Sequence, residues 1–437
     1  GLATPDREVL PPSGGSATAA RHPSRRTTDL RLTEVRTKAH RPCTRAHGLG
    51  TTAQGRGRHP EGKHCVMRLR CPGSVLLAAI LAVGLPVAGC AGEAQTGSAP
   101  SGVQDSDGVQ ACQDGAVLAA LRSQSERPMR SVCEFGAVGD GHHDDTQAIQ
   151  AAFDAAGQDS TVVLPAGYTF TQSGVLTIAT PGLRVTGGAD LRADVEERSE
   201  FLIAADRVSV EDIHFSMART TARWDRNEQM RVRISGADGV RLKRITILGS
   251  AAAGIMIGSA KDFELSDSVV MGTRADGIHM VNGAANGRVV DCTVKATGDD
   301  GVSVVSYDNA GDGPTARDIV VSGTKVLDQR WGRAFSVVGG TDIRFENISS
   351  DHSAGAAVYL ATESEFNSRT TERVTVSGGT LSSSNANSDI NHTAVLVYNS
   401  REGTTLREVV IEDLDIVDTR ADDDADIALR AKDGGRI

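Results

Sequence analysis

The hydrophobic and polar positions of the chain fall into a repeat. A small residue followed by an apolar, a variable and a second apolar residue occurs as Gly254-Ile255-Met256-Ile257, Gly277-Ile278-His279-Met280 and Gly301-Val302-Ser303-Val304. It returns as Ala334-Phe335-Ser336-Val337, Ala357-Val358-Tyr359-Leu360 and Ala394-Val395-Leu396-Val397. Successive small residues lie 23, 24, 33, 23 and 37 positions apart. The short gaps equal one bare coil of a solenoid, and the longer ones predict loops inserted at the same place in the coil. Each coil carries a second apolar stretch, such as Arg288 to Val294 or Asp318 to Val321, whose alternation turns one side into a core. The pattern predicts an all-β fold, a single-stranded right-handed parallel β-helix (a solenoid) over residues 131–437. A sandwich would not make equivalent positions recur at one coil.

Ahead of the coils, Ile149, Ala152 and Phe153 recur at the spacing of an amphipathic helix, with Asp144 or Asp145 placed as its N-cap. This N-terminal capping helix is expected to plug the open end of the first coil, which would otherwise expose core and unpaired strand edges. A strand with a Pro-Gly turn follows over Thr161 to Tyr168, and a short helix fits Ala111 to Arg122. Further upstream, Arg68 and Arg70, the apolar run Val75 to Val83 and the small-residue end Val87-Ala88-Gly89-Cys90 read as a secretory signal. Its last four residues resemble the lipobox of bacterial lipoproteins. That resemblance implies a signal peptide over 67–89, a lipid on Cys90, and an exported protein held at the cell membrane or released outside the cell. The run is short for a membrane span of about 30 Å. Residues 1–66, rich in Arg, Thr, Pro and His without apolar periodicity, read as a disordered or upstream extension, and 90–130 as a linker.

Charge sharpens this division. The formal net charge is -10, yet residues 1–66 carry +7, leaving -17 on the remainder. An acidic body excludes general nucleic-acid binding. Beyond Cys90 the cysteines are Cys112, Cys133 and Cys292; Cys112 and Cys133 are free to pair in an oxidising compartment, and Cys292 reads as an apolar filler. No Cys/His spacing points to a metal.

Stacking makes position in the repeat a spatial coordinate, since neighbouring coils lie about 4.8 Å apart. The column just before the small residue reads Ala253, Asp276, Asp300, Arg333, Ala356, Thr393, and the one before it contains Asp299. Three carboxylates therefore gather on adjacent coils with Arg333 one coil on. Two residues after the small one, Met256, His279, Ser303, Ser336, Tyr359 and Leu396 form a column that should face out of the core. Clustered carboxylates repel and push at least one pKa upward, and a raised carboxyl beside an ionised one suits glycosidic cleavage. Asp-Gly and Asp-Asp-Gly are also plain turn chemistry, but three Asp beside Arg333 and His279 favour function.

Two resemblances extend this reading. The run Phe135-Gly136-Ala137-Val138-Gly139-Asp140-Gly141, then Asp144-Asp145-Thr146 and Pro165-Ala166-Gly167-Tyr168, resembles the entry module of the pectin-lyase-like β-helix superfamily. Asp276-Gly277-Ile278-His279 and Gly298-Asp299-Asp300-Gly301-Val302 resemble the polygalacturonase family of glycoside hydrolases. That resemblance implies Asp299 as general acid, with Asp276 and Asp300 positioning and deprotonating the attacking water, and inversion at the anomeric carbon. The departures matter too. Arg333 replaces the family's His in Gly332-Arg333-Ala334, and Ala357-Val358-Tyr359 replaces its Arg-Ile-Lys, removing the cations that grip a uronate. His279, Arg333, Tyr359 and Trp331 are the candidate sugar contacts, and the insertions at Tyr307-Asp308 and Glu363 to Asn367 are candidate cleft walls. The leading expectation is a glycoside hydrolase on a polysaccharide, monomeric and without cofactor. The alternatives are a polysaccharide lyase or uronate epimerase, for which Ca²⁺ becomes possible, and a non-catalytic carbohydrate-binding β-helix.

Overall fold

The computed structural model describes residues 31–33 and 110–437, apart from 224, 225, 310 and 421–424. The expected signal segment, Cys90 and the first part of the expected linker lie outside the described residues. The repeat motif builds one sheet of ten strands: β1 (Leu176–Ile178), β2 (Phe201–Ile203), β3 (Val232–Ser235), β4 (Ile255–Gly258) and β5 (Ile278–Val281). It continues through β6 (Val302–Val305), β7 (Phe335–Val338), β8 (Val358–Thr362), β9 (Val395–Asn399) and β10 (Ile427–Ala431). The strands stack in chain order, each parallel to the next. Ile255, Ile278, Val302, Phe335, Val358 and Val395 are aligned in register, as the repeat requires. The remaining faces of each turn belong to a second parallel sheet, and the whole is a right-handed parallel β-helix.

The two apolar positions of each motif point inward. Ile255 and Ile257, Ile278 and Met280, Val302 and Val304, and Phe335 and Val337 are all buried in one continuous core. The sheet's outer side departs from a simple solvated face. Ser303, Ser336, Tyr359 and Leu396 are buried as well, and Val281, Val305, Val338, Tyr359, Ala361 and Leu396 form a second apolar cluster with Tyr307 packed against it. The long insertions cover this part of the sheet, so its outward residues lose their solvent. The loop at Tyr307-Asp308 is tied to the loop at 363–370, Asp308 N donating to Asn367 O at 2.9 Å and Asn367 Nδ2 to Asp308 O at 2.7 Å.

The abundance of Asp, Asn and Gly is explained at the corners. Strand pairing aligns Ser266, Val290, Ser322, Glu346, Ser377 and Glu412. The residues that follow them, Asp267, Asp291, Gly323, Asn347, Gly378 and Asp413, all have positive φ, at 52°, 52°, 60°, 52°, 71° and 55°. At this corner a left-handed residue in each coil bends the chain from one face to the next, and Asp, Asn and Gly accept that conformation most readily.

The helix α1 (Gly115–Arg122) precedes the first coil, and α2 (Thr146–Ala155) caps it. Helix α2 buries Ile149, Ala152 and Phe153, and the Phe153 ring meets Phe201 edge-on at 5.8 Å. Both candidate caps have work, though not the same work. Asp144 Oδ1 accepts from Thr146 N at 3.1 Å, whereas Asp145 turns inward and accepts from Val138 N at 2.6 Å and Thr171 N at 3.1 Å. Burial raises the Asp145 pKa, against the pull of those amides. Order reaches further upstream than Ser131: a Cys112–Cys133 disulfide fastens the segment, and Leu118 of α1 packs on Met129 and Val163. Cys292 is free and buried. Arg31–Thr33 pair in parallel with the strand Arg407–Val417.

Replacing Asp413 by Val should lower stability by about 1–2 kcal/mol, because a β-branched residue resists positive φ. Asp413→Gly should leave it nearly unchanged. Urea unfolding midpoints of the two variants check this, and equal midpoints would contradict the corner assignment.

Candidate active site

The turn ahead of each motif strand delivers the carboxylates. Thr273 Oγ1 donates to Ala275 O at 2.7 Å, and one coil later Thr297 Oγ1 donates to Asp299 O at 2.8 Å. The same hydroxyl clamp thus sets both turns. Backbone bonds then lock the coils together: Gly277 N to Asp300 O at 2.9 Å and Gly301 N to Arg333 O at 2.8 Å. Small residues are needed for this approach. At Gly332, with φ of 81°, a Cβ would stand 2.5 Å from Asp299 Oδ1 and 2.6 Å from Asp300 Oδ1. A side chain there would fill the space between the two acids.

Each of the three acids has its own partner. Asp276 Oδ2 lies 2.5 Å from His279 Nδ1 and accepts from Ser303 Oγ at 2.7 Å. Burial opposes the Asp276 charge, but the His279 charge, both hydrogen bonds and Arg223 outweigh it and hold the carboxyl below its usual range. Burial likewise opposes charge on His279, yet Asp276, with Asp300 and Asp299 beyond, keeps the imidazole pKa above the ordinary value. Asp300 is nearly inaccessible. It accepts from Arg333 N at 2.8 Å and from Ser336 Oγ, with Arg333 Nε 3.2 Å away. Burial pushes its pKa up to about 7, Asp276 and Asp299 add to the rise, and Arg333 resists it. The Nε contact is an ion pair without hydrogen-bond alignment. Asp299 is more open, and Arg223 Nη1 meets its Oδ2 at 2.7 Å. Burial and Asp276 raise the Asp299 pKa, with Arg223 pulling against them.

The structure brings Asp276, His279, Asp299, Asp300 and Arg333 together. Tyr359 lies against the same cluster in a different role from the one expected. Arg333 Cζ lies 4.4 Å from its ring centroid, His392 stacks on it at 5.4 Å, and its hydroxyl donates to Glu363 at 2.6 Å. With its ring buried, Tyr359 supports Arg333 and has little face to offer a sugar. Trp331 is 52% exposed beside Gly332. Cys90 lies outside the described residues. Arg223 was not foreseen from the sequence. It belongs to a loop after the strand His214–Met217, where the run Met217 to Met230 breaks the apolar alternation. The longer step from Phe201 to Val232 was the available sign of an insertion, but nothing in it named a partner 76 residues away.

Fold and cluster together define a pectin-lyase-like parallel β-helix whose outer sheet carries a three-carboxylate site. Residues 129–356 match the family described as rhamnogalacturonase A/epimerase, pectate lyase-like. The chain belongs to that family. Among solved structures it is similar to the catalytic domain of a GH87 alpha-1,3-glucanase in complex with tetrasaccharides, at 18% identity and TM-score 0.53, over 67% of this chain and 54% of that one. It is also similar to the catalytic unit of a thermostable GH87 alpha-1,3-glucanase from Streptomyces thermodiastaticus, at 19% identity and TM-score 0.51, over 67% and 56%. A Streptococcus pneumoniae surface protein and adhesin, PfbA, aligns at 14% identity and TM-score 0.47, over 71% and 99%. The chain spans about half the length of the glucanase structures, and the likeness is one of fold. No curated protein matches the sequence.

In an NMR titration, the His279 ring should lose its proton above the ordinary histidine value of about 6.5. Asp276→Asn should bring that midpoint down, since the opposing charge is gone and burial remains. An unmoved midpoint would mean that the pair does not set the ionisation.

Proposed function

We propose that the protein is a polysaccharide-acting glycoside hydrolase, exported and anchored by a lipid on Cys90, working as a monomer without a cofactor. The observation that carries this reading is the unlike surroundings of three neighbouring acids: Asp276 is paired with His279 and Ser303, which hold its pKa low, while burial raises Asp300 beside Arg333 and Asp299 beside Arg223. Cleavage of a glycosidic bond uses one carboxyl that keeps its proton and one that has lost it. Asp299, the more open of the raised pair, is assigned as general acid to the leaving oxygen. Asp276, ionised and oriented by His279 and Ser303, takes the proton of the attacking water, and Asp300 shares in positioning that water. Inversion needs acid and base separated by roughly 6.5–9.5 Å to admit the water, and carboxylates from two neighbouring coils are compatible with it.

A lyase or uronate epimerase reading draws on Arg333. Those reactions pair a base with a cation that neutralises a carboxylate, and Ca²⁺ serves the same end in the lyase case. Arg333 is spent on Asp300 and Tyr359, which favours hydrolysis. A non-catalytic binder would show neither reaction.

The test is the protein from Cys90 onward against a panel that includes rhamnogalacturonan, polygalacturonan and alpha-1,3-glucan. New reducing ends without ultraviolet-absorbing unsaturated ends support hydrolysis. Unsaturated ends support the lyase, and neither supports the binder. Asp299→Asn and Asp300→Asn should each lower kcat by about 10²–10⁴-fold, the usual share of acid–base catalysis; thermal unfolding should be unchanged for the more open Asp299→Asn and lowered for Asp300→Asn, which takes the carboxylate away from the buried Arg333. Full activity in either variant would sink the assignment.

The pH profile follows from the same groups. Activity should rise at low pH as Asp276, held below the usual carboxylate range, becomes ionised, and fall as pH climbs through the raised midpoint at which Asp299 loses its proton. The cluster titrates as a unit, so the limbs belong to the group. A kcat/KM that does not fall on the alkaline side would contradict Asp299 as the acid.

A further inference from the structure

The proposed acid is held twice by its backbone and once by its side chain. Asp299 O accepts from Thr297 Oγ1 and from Gln329 Nε2, each at 2.8 Å, so the carboxyl can turn only about its own torsions. Arg223 Nη1 donates to Asp299 Oδ2 at 2.7 Å. Among the described residues no donor meets Asp299 Oδ1. That second oxygen borders the gap left by Gly332, where a Cβ would stand 2.5 Å from it and 2.6 Å from Asp300 Oδ1. One oxygen of the carboxyl thus faces a cation, and the other faces the space between the acids. Arg223 is itself placed by an anchored loop. Arg274 donates to Thr220 Oγ1 at 2.9 Å and to Thr220 O at 2.8 Å. Arg274 lies one coil before Asp299, and its carbonyl approaches Gly298 so closely that a Cβ there would stand 2.4 Å from it. The anchor of the loop and the acid therefore belong to adjoining turns.

We infer that Arg223 is a positioning residue for the general acid, holding Asp299 Oδ2 so that Oδ1, beside Gly332, is the oxygen that carries and delivers the proton. The inference rests on the reading of Asp299 as that acid. A guanidinium N–H aimed at Oδ2 occupies the side of the oxygen where a hydrogen would sit, and its charge opposes one there. A neutral carboxyl can still accept through Oδ2 while Oδ1 holds the hydrogen. In the reaction the Oδ1–H bond breaks and its proton goes to the glycosidic oxygen as that C–O bond breaks. The attacking water's oxygen bonds to the anomeric carbon, and its proton goes to Asp276. Exchange with solvent then returns a proton to Oδ1 and removes the one on Asp276. The same cation works against the acid's hold on its proton. Burial and Asp276 raise the Asp299 pKa, while Arg223 and Arg333 pull it down. The other titratable groups around it are Asp300, His279 and Tyr307. Arg223 therefore aims the proton and, in doing so, narrows the pH range over which it is kept.

Two measurements on the full chain test this, and neither needs a substrate. The first is neutron diffraction from crystals of the deuterated wild type, held below the pH midpoint of Asp299. The deuteron should lie on Oδ1; a deuteron on Oδ2, or one divided equally between the two oxygens, overturns the proposal. The second follows the ¹³C signals of the Asp carboxyls against pH, with Asp299 assigned by the signal lost in Asp299→Asn. The Asp299 midpoint should move upward in Arg223→Gln and stay close to the wild type in Arg223→Lys, which keeps the charge. Equal midpoints in the wild type and Arg223→Gln overturn the proposal as well. The diffraction result stands even where a variant folds poorly. Failure here leaves the hydrolase reading intact, whereas that reading falls if Asp299→Asn remains active.

Discussion

The constraint on which this molecule depends is the spacing between its coils. Parallel strands stacked about 4.8 Å apart bring every residue of the repeat beside its counterpart in the next coil. Apolar counterparts build the continuous core. Acidic counterparts are forced together, and Asp276, Asp299 and Asp300 occupy two neighbouring turns of the same backbone ladder. Such a cluster persists only if each charge is compensated or suppressed. Both remedies are present. Asp276 is compensated by His279 and Ser303; Asp300, buried against Arg333 and Ser336, has its charge suppressed; and Asp299 is met by Arg223.

These three partnerships also explain how much of the site was legible in the sequence. His279 follows Asp276 by three residues within one motif, so the periodic pattern reveals it. Arg333 is one coil away, and the repeat register places it beside Asp300 once the loop between Gly301 and Ala334 is allowed for. Arg223 comes from an irregular loop outside the register, where no periodicity carries positional information. The fold follows the same order. The coils, the capping helix and the inward apolar positions were readable because they repeat or alternate. The buried outer side of the sheet was not, because insertions that break the repeat cover it. Tyr359 illustrates the difference. Its column was right and its environment was not, since Arg333, His392 and Glu363 converge on the ring from three separate segments.

Burial of the outer sheet has an electrostatic consequence. Val281, Val305, Val338 and Ala361 lie under loops beside the acids, and apolar cover lowers the local dielectric. Attraction and repulsion both strengthen in such surroundings. The same change therefore raises Asp300 and deepens the hold of His279 on Asp276. A fully solvated Asp cluster at corners of the solenoid would show neither effect.

The position of Arg333 follows from this environment. A free arginine beside three carboxylates would neutralise whichever was nearest and flatten their differences. Here the guanidinium lies against both the Asp300 carboxyl and the Tyr359 ring, and His392 stacks on that ring. Burial and nearby Arg333 and Arg430 lower the His392 pKa to about 4, so at neutral pH the stacked imidazole is uncharged and does not compete for the acids. Arg333 thereby bears most closely on Asp300 and reaches Asp299 only at longer range, and the direct ion pair of Asp299 is with Arg223. The scaffold holds two of the three acids by residues of its own coils and the third by a residue of an inserted loop.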